Sequence, residues 1–129
     1  MSYTLWALLL VGTVAIWRAA RVLKGEALAN AFPSGQPHGS RRYWRLNRAH
    51  LNCVENLPIF AAVVLSGHLI GMTEPMFGVF SLVILAGRIA QSVIHVASGS
   101  PRAVQARFTA YLVQWACMLA MTWMVVRAL

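Results

Sequence analysis

Acidic side chains are nearly missing from this 129-residue chain. Glu26, Glu55 and Glu74 face eleven Lys or Arg, and the formal net charge is +8. Three scattered carboxylates exclude an obvious two-acid hydrolase. Cysteine is scarce too: Cys53 and Cys117 lie in or beside apolar stretches. They read as small buried hydrophobes, and a disulfide-stapled secreted module is excluded. No Gly-rich phosphate loop or nucleophile elbow is present. Only 11% of residues are charged, less than half the roughly 25% of a soluble domain. Apolar residues make up 59%, against about 45–50% in such domains. So few charges would cover the large surface of a small domain poorly. An ordinary cytosolic domain and a disordered chain are therefore excluded, and the length fits one domain.

What is present is a set of long apolar runs. A membrane helix needs about 20 mostly apolar residues, or about 17 with tilt and snorkelling. Four segments qualify, over about residues 3–23, 48–72, 76–97 and 103–128. The runs are continuous and do not alternate, so helices are favoured over barrel strands. The fold class is all-α: an integral membrane four-helix bundle forming one domain over residues 1–129. Gly71-Met72-Thr73-Glu74-Pro75 and Ser98-Gly99-Ser100-Pro101 mark tight turns. The stretch from Gly25 to Tyr43, with Pro33-Ser34-Gly35-Gln36-Pro37, is a polar loop.

Except for Arg88, the basic residues avoid the long uncharged apolar runs. Arg18, Arg21, Lys24, Arg41, Arg42, Arg45 and Arg48 lie between the first and second apolar cores. This is the loop asymmetry of a membrane protein with its basic loops in the cytoplasm, so a nucleic-acid partner is not expected despite the charge. Arg18 follows the first span and no basic residue precedes it, the reverse of a cleavable signal peptide. Both termini are then expected outside the cytoplasm, in a membrane such as the bacterial inner membrane. Arg102 and Arg107 fall on the cytoplasmic side, and Arg127 alone speaks against the arrangement. The Arg41-Arg42-Tyr43-Trp44-Arg45 run is expected at the anionic membrane surface.

Charged groups inside a bilayer cost about 2.5–3.5 kcal/mol each, so they face an interior and have a task. Arg48, Asn52 and Glu55 are spaced i, i+4, i+7 on one helix face, with Asn56 at its edge. Arg88, Gln91, Ser92 and His95 share a face of the third span. A structural explanation is a buried ion pair, Arg48–Glu55 or Glu55–Arg88. Against it, Arg48, Arg88, Arg102 and Arg107 outnumber the single carboxylate. Several guanidiniums, one carboxylate and two amides suit a small zwitterion with two carboxylates and one ammonium.

The segment Arg48-Ala49-His50-Leu51-Asn52-Cys53-Val54-Glu55-Asn56-Leu57-Pro58-Ile59-Phe60 resembles the second-helix signature of the MAPEG family, membrane-associated proteins in eicosanoid and glutathione metabolism. The length, the four spans and the long first loop match as well. The resemblance implies a homotrimer of four-helix protomers, with glutathione as co-substrate between subunits on the cytoplasmic side. It implies that Arg48, Asn52 and Glu55 hold glutathione, with Asn56, Arg88 and His95 completing the site. A basic residue near the start of the fourth helix would stabilise the thiolate. Arg102 fits one spacing and Arg107 the sequence that follows it, and Arg107 is preferred. His95 stands where several members carry a tyrosine, and Asn56 where the leukotriene branch has an aromatic.

The expected chemistry is conjugation of a glutathione thiolate to a lipophilic electrophile, or reduction of a lipid hydroperoxide, with the apolar substrate arriving from the bilayer. Two other readings stand beside it. One is a small membrane transporter using Glu55, which excess arginine near that carboxylate disfavours. The other is a catalytically silent membrane scaffold. No metal site is expected, because His50 and Cys53 lack further ligands. His38 reads as a solvated loop residue and His68 as an interior histidine. Trp6, Trp17, Trp44, Trp115 and Trp123 read as interface anchors and packing residues.

Overall fold

A computed structural model describes residues 1–33 and 35–129; Ser34, in the expected polar loop, lies outside the described residues. Four helices make up the fold: α1 (Ser2–Leu23), α2 (Arg41–Leu69), α3 (Pro75–Ala97) and α4 (Pro101–Val126). Each is long and apolar enough to cross a membrane, and no strand occurs among the described residues. The protein is an integral, multi-pass membrane protein.

The helix ends follow local chemistry. Pro75 and Pro101 open α3 and α4 in the first turn, where a missing N–H costs nothing. Ser100 Oγ accepts from the Ala103 N–H at 3.3 Å, which satisfies one of the free donors at the start of α4. α2 ends in a Schellman turn. The Met72 N–H donates to the Gly67 carbonyl at 2.9 Å and the Gly71 N–H to that of His68 at 3.1 Å. Gly71 makes this turn at φ +68°, in the left-handed region that favours glycine.

α2 begins at Arg41, earlier than the span expected from about residue 48. The Ser40 hydroxyl caps it, accepting from the Tyr43 N–H at 3.2 Å. Hydropathy locates only the part of a helix that sits in hydrocarbon. At 29 residues, α2 is about 43 Å long against a hydrocarbon core of about 30 Å. Its basic first turns thus extend beyond the hydrocarbon. Pro58 lies inside α2 and leaves the Val54 carbonyl without its helical donor.

α3 and α4 form the closest pair. α2 packs on α1, α3 and α4, whereas α1 meets α3 only sparsely and α4 not at all. Tyr3, Ala7, Leu10, Cys53, Ile84, Met118 and Met121 form the apolar core. Large apolar residues such as Leu8, Leu9, Leu65, Leu82, Leu119 and Trp123 point outward, as a lipid or subunit environment requires. The end of the bundle carrying the α2–α3 turn is tied by Arg127, whose Nη2 donates to Glu74 Oε1 at 3.0 Å. That contact accounts for the one arginine at odds with the charge asymmetry. At the basic end, Arg21 and Glu26 pair at 3.3 Å.

Candidate functional site

The polar face of α3 turns into the bundle and brings α2 and α4 to it. Arg88 is 2% exposed. Its Nη1 donates to the Asn52 backbone carbonyl at 3.1 Å and to Gln91 Oε1 at 2.8 Å. Nε and Nη2 have no protein partner, and the guanidinium lies 6.0 Å from the Tyr3 ring centre. Gln91 passes the contact on, its Nε2 donating to the Arg107 backbone carbonyl at 3.1 Å. Gln114 Nε2 donates to the Ala110 carbonyl at 2.8 Å and reaches Gln91 Oε1 at 3.5 Å. Gly87 lets Gln114 in: a Cβ there would stand 3.0 Å from Gln114 Cγ. Ser92 donates to the Arg88 carbonyl at 2.8 Å and accepts from Trp6 Nε1 at 3.3 Å. A buried layer of guanidinium, amide and hydroxyl groups therefore joins the helices.

In front of this layer lies an open cleft of about 200 Å³ lined by Asn52, Gln91, His95, Val104, Arg107, Phe108 and Tyr111. Asn52 Nδ2 and His95 Nδ1 are 3.5 Å apart, and Asn56 Nδ2 donates to the Asn52 carbonyl at 3.2 Å. One wall thus offers amide and imidazole groups and the other a guanidinium, with aromatic rings beside it. A larger groove of about 450 Å³ lies between the end of α1 and the first loop, lined by Arg18, Ala19, Val22, Leu23, Ala29, Asn30 and Phe32. It offers one guanidinium and one amide, whereas the smaller cleft gathers two amides, an imidazole, a phenol and a guanidinium.

Of the residues singled out in the sequence, Asn52, His95 and Arg107 line one cleft. Asn56 and Arg88 stand behind it, bonded to the same Asn52 carbonyl. Arg102 is exposed on the first turn of α4 and does not line the cleft. Arg48 and Glu55 are exposed and make no ion pair. Neither Arg48–Glu55 nor Glu55–Arg88 is a buried pair within the chain. Among the described residues the ion pairs are Arg21–Glu26 and Arg127–Glu74, both at the surface. Arg88 is thus a buried cation held by neutral acceptors alone.

Gln91 lines the cleft, although the sequence marks it only as part of the polar face of α3. Gln114 carries no expected role, and Phe108 and Tyr111 enter only as the sequence that favours Arg107. Gln114 had a signal, an amide within an uncharged run from Phe108 to Val126, and Tyr111 had another, one helical turn after Arg107.

No curated protein matches the chain. The sequence model of the MAPEG family matches residues 1–127, almost the whole of it. The four apolar helices accord with that match, and the chain belongs to the MAPEG family.

Proposed function

We propose that this protein is a glutathione-dependent membrane enzyme, a transferase or peroxidase that works on lipophilic substrates. The observation that carries the reading is the division of the polar residues of α2. Asn52 turns into a cleft with His95 and Arg107, while Arg48 and Glu55 are exposed and unpaired on the same helix. The cleft of one protomer, about 200 Å³, is smaller than the roughly 300–1,000 Å³ of small-molecule sites. A tripeptide needs another wall, and a neighbouring copy in a homotrimer would supply it. Arg48 and Glu55 then take the zwitterion, the guanidinium on a carboxylate and the carboxylate on the ammonium. Asn52 and His95 add hydrogen bonds.

Arg107 acts on the sulfur. A free thiol of this kind has a pKa of about 8.5, and the thiolate is the nucleophile. A guanidinium beside sulfur favours the anion, by about 1.4 kcal/mol for each unit of pKa lowering. In conjugation, the thiolate forms a bond to an electrophilic carbon as a leaving group departs or a double bond takes the electron pair. In hydroperoxide reduction, two glutathiones yield one disulfide while the O–O bond is reduced to alcohol and water. The substrate reaches the sulfur sideways from the bilayer. A transporter built on Glu55 is disfavoured, because that carboxylate lines none of the cavities described above.

The test is equilibrium binding of glutathione to the detergent-solubilised protein, with Arg48→Ala and Glu55→Gln alongside. Saturable binding by the wild type, lost in both variants, is the expected result. No binding at millimolar glutathione overturns the reading.

A further inference from the structure

The first loop is fastened to the bundle by a hydrogen-bond chain whose direction follows donor by donor. Tyr43 is 2% exposed and stacks on Trp17, ring centres 4.0 Å apart. Arg18 Nε donates to its hydroxyl oxygen at 2.5 Å. The hydroxyl proton then needs an acceptor, and His38 Nε2 lies 3.2 Å away. The other ring nitrogen, Nδ1, is 2.8 Å from the Gln36 carbonyl. A carbonyl only accepts, so Nδ1 carries the hydrogen. The chain runs Arg18 to Tyr43 to His38 to Gln36, and every member is satisfied only when His38 is neutral with its proton on Nδ1.

We propose that this chain is a pH-sensitive clasp: neutral His38 holds the first loop against α1 and α2, and protonation of His38 releases it. Once Nε2 carries a proton it becomes a donor. The Tyr43 oxygen then faces two cationic donors, from Arg18 and His38, and its own proton loses its acceptor. The groups facing the ring come from every neighbouring segment: Phe32 in the loop at 5.9 Å, Tyr43 and Trp44 on α2 at 5.2 and 5.6 Å, and Arg18 on α1 through the shared hydroxyl. The charged one among them is a cation. No carboxylate of the described residues pairs with His38, and Glu26 is taken by Arg21. An imidazolium here has no carboxylate to offset its charge beside Arg18.

The fit is close. Gly39 sits at φ +71°, and a Cβ on it would lie 2.9 Å from Tyr43 Cδ1 and 3.1 Å from Trp17 Cη2. His38 and Gly39 lead directly into Ser40, the cap of α2, so release loosens the turn that carries Arg41 and Arg42. It also frees Phe32 from the groove against α1. The clasp holds while His38 is neutral and is lost once Nε2 is protonated. The proposal is independent of glutathione.

The experiment is hydrogen exchange read by mass spectrometry on the full-length protein in lipid nanodiscs. Peptides covering residues 35–43 are compared at pH 7.5 and 5.5 after correction for chemical exchange rates. Loss of one relay bond should speed exchange about tenfold at the lower pH. His38→Phe keeps the ring contacts without the acceptor, and Tyr43→Phe keeps the stack on Trp17 without the hydroxyl. Each should exchange fast at both pH values. His50, His68 and His95 are present in both variants, so a response they retain in full would come from elsewhere and overturn the proposal. So would a wild-type loop with equal exchange at the two pH values.

Discussion

Replacing Gln91 tests the buried polar layer most sharply, because two substitutions of similar size should differ in cost. Gln91 accepts from the Arg88 guanidinium at 2.8 Å and donates to the Arg107 carbonyl at 3.1 Å. Gln91→Leu removes both bonds. A hydrogen bond from a charged donor contributes about 1.5–3 kcal/mol and a neutral one about 0.5–1.5 kcal/mol. The added apolar burial of leucine offsets about 1–2 kcal/mol. The net loss should be about 2 kcal/mol, and more if Arg88 strains toward other acceptors. Gln91→Glu keeps the acceptor and gives Arg88 the carboxylate it lacks, so it should stay within about 1 kcal/mol of wild type despite the lost donor. The strongest arm is the double variant Arg88→Leu with Gln91→Leu. It removes the stranded cation along with its partner, and it should be more stable than Gln91→Leu alone. Cys53 is wholly buried, so thermal unfolding can be followed through reaction of a thiol-specific dye. A double variant that loses the sum of two separate costs would refute the view of Arg88 as a cation held only by neutral groups.

Three further outcomes follow from particular contacts. Ser40→Ala removes the cap of α2 and should cost about 1 kcal/mol, with faster amide exchange confined to its first turn. Gly67→Ala would place a Cβ 2.5 Å from Phe77 Cζ; the ring must move, and a loss of about 1–3 kcal/mol in thermal unfolding is expected. Glu74→Gln breaks an exposed pair with Arg127, so it should cost less than about 1 kcal/mol, and the difference from wild type should shrink in high salt.

The architecture was legible because its signal is composition over long windows. Continuous apolar runs and Gly or Pro punctuation located four helices and two tight turns. The start of α2 escaped because its arginines lower hydropathy without breaking the helix, and the serine cap at Ser40 was the better guide. Helical spacing correctly placed Arg88, Gln91, Ser92 and His95 on one face. It could not tell how α2 is rotated. Arg48, Asn52 and Glu55 share a broad face, yet Asn52 turns inward while Arg48 and Glu55 are exposed. Rotation is set by packing between helices, and a single sequence carries no record of those contacts. The same holds for His38, whose partner Tyr43 lies on α2 and is held in turn by Arg18 on α1. As a loop residue it read as solvated, and in the fold it is half-buried.

The central claim is that the arginine lining the cleft makes a thiolate of bound glutathione. The direct measurement is ultraviolet absorbance of the thiolate as glutathione is added at neutral pH, for the wild type, Arg102→Ala, Arg107→Ala and the double variant. The account predicts a thiolate signal in the wild type and in Arg102→Ala. In Arg107→Ala and the double variant the signal should fall by about tenfold, the effect of one unit of thiol pKa. A wild type that binds glutathione with no thiolate, or a double variant with the full wild-type signal, would contradict it.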